Sequence, residues 1–158
     1  MLKNILDLVE KLKSDFPELN RNAIAHNYNI RLEEINLPES INGLFFQKNG
    51  LSLIALNLNQ SEQLKNETFF HEFYHYKFSS GSSFAYSRFN SSDLIISREE
   101  KLANLFVALL LIKFIDEYDS VSYIAEKNNV SEELALIRLE FEVQNHLSTI
   151  STLTEETE

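Results

Sequence analysis

Three glycines and two prolines are spread over 158 residues. Ordinary usage would place these two residue types at roughly 12% of positions. A chain so poor in turn formers has little room for tight loops or many short strands, so it must be built mainly of helices. Leu2, Ile5, Leu6, Val9 and Leu12 recur at three- and four-residue spacing and predict a first helix over residues 2–14. Pro17 suits the first turn of a second helix running to Tyr28. The main β signal surrounds one of the rare glycines: Ile41–Gln47 and Leu51–Asn57 are β-rich runs flanking Lys48-Asn49-Gly50, and Asn-Gly supplies the positive φ angles of a hairpin turn. A weaker strand pattern lies at Ile30–Glu33. Beyond it the sequence predicts a helix over 61–78, a Ser-rich loop over 79–92, helices over 98–118, 121–128 and 131–146, and a polar acidic tail over 148–158. The expected fold class is α+β: one mostly helical domain, residues 1–147, with a small antiparallel sheet or hairpin packed on the 61–78 helix.

Charge narrows the function. With 14 Lys and Arg against 24 Asp and Glu, the formal net charge is −10, a balance that repels nucleic-acid phosphates and anionic membranes. The longest apolar run, Leu105–Ile112, ends at Lys113, far short of the roughly 20 residues of a membrane span. Residues 1–13 carry polar side chains throughout and do not read as a secretory signal. A cytoplasmic location is the expectation. There is no cysteine, so a metal site would have to use His and carboxylate ligands.

His71-Glu72-Phe73-Tyr74-His75 supplies such ligands. Histidines four apart on a helix share one face and can converge on a single ion, while Glu72, about 100° further round, is placed to act as a base beside it. The uncharged flank of Thr68, Phe69, Phe70, Phe73, Tyr74 and Tyr76 suits a site helix buried in an apolar core; Lys77 fits that picture less well. A catalytic zinc site needs a third protein ligand and leaves a fourth position to water. Glu100, opening a second apolar helix, is the best candidate, with Glu99 as its competitor; Ala103 and Ala108 would let the two helices approach closely. Glu100 also completes a Ser97-x-x-Glu100 capping box, in which it would bond back to the backbone of Ser97. His26 and His146 lie in distant segments and read as ordinary polar residues. Tyr74, Tyr76, Tyr86 and Arg88 are the neighbours from which an oxyanion donor could come, and the 79–92 loop is the candidate rim of a cleft.

These residues resemble the ImmA/IrrE family of metallopeptidases. Besides HExxH, the strand ending Ile54-Ala55-Leu56-Asn57, the Glu100-to-Asn104 segment, Leu37-Pro38 with Ile41-Asn42-Gly43-Leu44, and the series Ile124-Ala125-Glu126, Val130-Ser131, Arg138-Leu139 are similar to family segments in the same order. The resemblance spans roughly residues 20–140 and departs in two places. Lys113 stands where the family often has Pro, so the helix before it is expected to run longer, and Phe73 and Tyr74 are bulkier than usual inside the motif. The resemblance implies a minimal zincin-like fold and a Zn2+ ion held by His71, His75 and Glu100, with Mn2+ or Fe2+ as alternative metals. It also implies a peptidase, with Glu72 catalytic, that cleaves or inactivates helix-turn-helix repressors of phages and mobile elements. The alternative is a non-catalytic antirepressor that binds a partner protein on the same fold. Residues 121–140 also have the look of a helix-turn-helix, but Lys127 and Arg138 face Glu126, Glu132, Glu133 and Glu140 there, the wrong balance for a recognition helix. That pair is expected beneath the site helices, leaving a protein partner and no direct nucleic-acid contact.

Overall fold

A computed structural model describes residues 1–78, 98–113, 115–116 and 118–146 in full, and the backbone of 84–87 and 147–155. Among the described residues, six helices and four strands follow in the order α1 (Leu2–Asp15), α2 (Arg21–Asn27), β1 (Ile30–Ile35), β2 (Ile41–Lys48), β3 (Leu51–Asn57), α3 (Glu62–Phe78), β4 (Phe84–Ser87), α4 (Arg98–Leu111), α5 (Val121–Asn128) and α6 (Glu132–Glu155). The fold is α+β and mostly helical. Among the described residues, no helix is long and apolar enough to cross a membrane.

The sheet is mixed, which corrects the antiparallel expectation. Its order is β1-β3-β2-β4, with β1 parallel to β3 and the other pairs antiparallel. The hairpin forms as its turn chemistry requires: Asn49 and Gly50 both take positive φ, 51° and 79°. β1 is a full strand despite its weak pattern, because Arg31, Glu33 and Glu34 sit on an edge strand that tolerates charge. β4 falls inside the segment expected to be a Ser-rich loop and pairs with β2; the remainder of that loop lies outside the described residues.

α3 lies across β2 and β3 on one side and against α4 on the other, so every residue from Glu67 to His75 is buried. Gly43 lets α3 lie so close. A Cβ there would come within 2.5 Å of Thr68 Cγ2 and 2.8 Å of the Ala55 carbonyl oxygen. Asn57 anchors the same corner: its buried Nδ2 donates to the carbonyls of Leu37, Pro38 and Ile41 at 3.2, 3.1 and 2.8 Å. The strand-ending Asn thus fixes the path between β1 and β2.

Three helix boundaries differ from expectation. α2 begins at Arg21 and not at Pro17, because Asn20 provides a stronger start, its side chain accepting from the N–H groups of Asn22 and Ala23. α1 buries Ile5, Leu8, Val9 and Leu12, leaving Leu2 and Leu6 exposed. α4 stops at Leu111 instead of running to residue 118. Continuation would need the Lys113 N–H to reach the Leu109 carbonyl, but Lys13 Nζ donates to that carbonyl at 2.8 Å while the Lys113 N–H goes to Asn128 Oδ1 at 3.2 Å. α6 continues past His146 through Glu155, so most of the expected tail is helical backbone. α5 and α6 pack on each other and α6 on α4, which sets this pair beneath the site helices as expected.

Candidate metal centre

The C-terminal half of α3 and the first turn of α4 bring three predicted ligands together. His71 Nε2 and His75 Nε2 lie 3.2 Å apart. Glu100 straddles them, with Oε2 at 3.1 Å from His71 Nε2 and Oε1 at 3.2 Å from His75 Nε2. One donor atom from each residue fits within 4.8 Å of the others, a group that could hold a metal ion. The Glu100 carboxylate thus engages the histidine pair; Ser97, its partner in the capping box, lies outside the described residues. Glu99 is exposed and is not among the converging donors. His26 and His146 are exposed and remote from the group.

The local sequence explains the convergence. The i, i+4 spacing sets the two imidazoles on one face of α3, and their rings tilt by 58° with centroids 5.0 Å apart. Ala103 and Ala108, both fully buried, keep α4 close to α3. Behind the histidines, Phe69, Phe70, Phe73 and Tyr74 are fully buried, and Tyr74 stacks between His75, Phe78 and Phe106. The bulk inside the motif is therefore core packing. Lys77 keeps its place on an exposed position by laying its ammonium over the Tyr28 ring, 4.7 Å from the centroid.

Protonation favours ligand forms. Burial pushes the His71 pKa down, which leaves its imidazole neutral at neutral pH. Its Nδ1 lies 2.8 Å from Asn104 Oδ1, an acceptor that favours the tautomer with the proton on Nδ1, the form in which Nε2 can serve as a ligand. Hydrogen bonding to His71 and His75 holds the Glu100 carboxyl well below the usual carboxylate range. The histidine side chains are 2% and 1% exposed whereas Glu100 is 31% exposed, so the centre meets solvent on the α4 side. Glu72 is fully buried in the position next to His71.

Asn104 is the residue that sequence reasoning passed over. It appeared only as the end of a family-like segment, yet its Oδ1 lies 2.8 Å from His71 Nδ1 and favours the tautomer that keeps Nε2 for a ligand role. Its position four residues after Glu100, on the same helix face, was the available signal. Glu67, one turn before His71, accepts from the Ser131 N–H at 2.6 Å and ties the site helix to the start of α6. Of the oxyanion candidates, Tyr76 donates its hydroxyl to the Tyr28 carbonyl at 3.1 Å and packs among Tyr28, Phe45 and Phe73, which makes it a packing residue. Tyr74 is buried, and burial raises its pKa. The Tyr86 side chain and Arg88 lie outside the described residues.

No family model and no curated protein matches this chain. The features that bear on function are the His71, His75 and Glu100 donor set and the asparagine bonded behind His71.

Proposed function

We propose that this chain is a cytoplasmic zinc-dependent endopeptidase of the ImmA/IrrE kind, and that its substrate is a helix-turn-helix repressor. The observation that carries the reading is the spacing of His71, His75 and Glu100. Ligands at 2.0–2.1 Å from a tetrahedral ion lie about 3.3 Å from one another. The two imidazole nitrogens, 3.2 Å apart, match that edge length, and Glu100 brings one carboxylate oxygen to each of them, at 3.1 and 3.2 Å. Two imidazoles and one carboxylate are the donor set of a catalytic zinc with an open position, and the group among the described residues has three members. Mn2+ and Fe2+ accept the same donors but favour higher coordination numbers.

A zinc ion bound there supplies a Lewis acid for the scissile carbonyl and acidifies water. The protein supplies the rest. His71 and His75 hold the ion from a rigid buried helix, Asn104 keeps His71 in the ligating tautomer, and Glu100 closes the set from α4. Glu72 takes the proton of the attacking water on its carboxylate and delivers it to the leaving amine. The net charge of −10 suits a basic substrate, as DNA-binding proteins are.

The test is fragment analysis of helix-turn-helix repressors incubated with the zinc-loaded protein. The wild type is expected to cut its repressor. Glu72→Gln should retain metal and lose activity by about a thousandfold, within the usual range for a general base. Full turnover by Glu72→Gln contradicts the assigned role, and repressor inactivation without fragments contradicts peptidase chemistry.

A further inference from the structure

Between α4 and α6 runs an open groove of about 550 Å³. Its floor is apolar, formed by Leu105 from α4 and by Leu136, Ile137 and Phe141 from α6. Leu136 is 45% exposed, a large aliphatic side chain left facing solvent. The α6 side of the groove follows helical periodicity: Glu133, Leu136 and Ile137, Glu140 and Phe141 recur every three or four residues. Such a seam, with apolar positions flanked by charges, is what one helix offers to another lying along it. Among the described residues, however, α6 packs chiefly on α4 and α5, which leaves this seam open.

Charge selects the occupant. Glu133 and Glu140 stand two turns apart on the rim, about 10.5 Å along the helix axis. Lys101 opposes them from α4, so the rim keeps an anionic excess on a protein of net charge −10. Asn104 lines the groove and also a smaller cavity shared with His71 and Glu67, so the groove reaches the residue that orients a metal ligand. We propose that the α4–α6 groove docks an amphipathic helix with cationic flanks, belonging to the protein on which the metal centre acts. That last attribution rests on the proposed function; the docking chemistry rests on the groove.

The test uses the full chain carrying Glu72→Gln, so that binding is read without cleavage. The probe is a fluorescent synthetic helix with Leu at three- and four-residue spacing and Lys and Arg on its flanks, paired with a twin in which Glu replaces every cation. Anisotropy should show the cationic helix binding at least about tenfold more tightly than its twin, with affinity falling as salt rises. Glu133→Lys with Glu140→Lys should weaken binding about tenfold or more, and Leu136→Asp should do the same. Unfolding temperatures should stay near that of the parent chain, since these side chains are exposed. Equal affinity for the two helices, or indifference to all three substitutions in folded protein, overturns the proposal. So does self-association that the substitutions abolish while neither peptide binds, because the groove then serves a second copy of the chain. Selective binding alongside an uncut repressor would count against the peptidase reading and leave the docking site standing.

Discussion

The two ends of α3 solve opposite electrostatic problems. At its N-terminus Ser61 Oγ accepts from the Leu64 N–H, and Glu62 and Lys65 join Arg21 of α2 and Glu34 of β1 in a closed square. Arg21 Nη2 lies 3.1 Å from Glu34 and 2.8 Å from Glu62, and Lys65 Nζ lies 2.7 Å from Glu34 and 3.1 Å from Glu62. Two cations alternate with two anions, and protons already occupy every contact. Nearly three turns further on, His71 and His75 bring two buried imidazole nitrogens within 3.2 Å of each other and of the Glu100 carboxylate. The first cluster is complete as protein and fastens α2, β1 and α3. The second gathers three side chains that can all serve as metal ligands, which makes it the candidate metal centre and the first a clasp.

Substitutions sharpen the contrast, and the largest effect belongs to the centre. His75→Ala removes one of the three proposed ligands, so metal affinity should fall by more than the roughly 10–100-fold typical of losing a group that only supports a ligand. A metal held at a thousand times its Kd stabilises the fold by about 4 kcal/mol, so a chelator should lower the wild-type Tm clearly and the His75→Ala Tm hardly at all. Calorimetry with and without chelator checks this; equal chelator shifts in both proteins would erase the distinction between the two ends of the helix. Asn104→Ala comes next, with metal affinity down about 10–100-fold and little change in the Tm of the metal-free protein. Competition titration against a zinc indicator reads it, and unchanged affinity would remove Asn104 from the centre.

The clasp should respond to pH and not to metal. Hydrogen bonding to Lys65 leads the interactions that hold the Glu34 carboxyl below its ordinary value. A folded-state value below the unfolded one gives stability that is present above the ordinary carboxylate range and is lost as pH falls through the folded value. Glu34→Gln should therefore be less stable than the wild type near neutrality, converge with it on acidification, and bind metal with wild-type affinity. Thermal melts across that range check the sign; the effect is the smallest of the set, because Glu34 is 35% exposed and its ion pairs are screened. A drop in metal affinity in this variant would show that the two ends are coupled.

Local signals carried well into the sequence reading wherever chemistry was local. The Asn49-Gly50 turn and the bounds of α5 follow from dipeptide preference and periodicity, and both are as expected. The convergence of His71 and His75 was legible because four-residue spacing on a helix is itself geometry, and that of Glu100 because it opened the next apolar helix. What was not legible depends on contacts distant in sequence. The parallel pairing of β1 with β3 leaves no mark on either strand alone. The end of α4 is set by Lys13, 96 residues away from Leu109, so no window around residue 111 contains the cause. Asn104 acquires its role only once α4 lies against His71. Asn57 shows the same limit: its place at a strand end could be read, but the three carbonyls it holds could not.

Elemental analysis of the purified protein, with anomalous diffraction at the zinc edge to place the ion, addresses the metal centre most directly. One zinc per chain is expected, bound by His71, His75 and Glu100 and lost from His71→Ala and Glu100→Ala. Metal-free protein that takes up no zinc on titration, or zinc content unchanged in both variants, would contradict it.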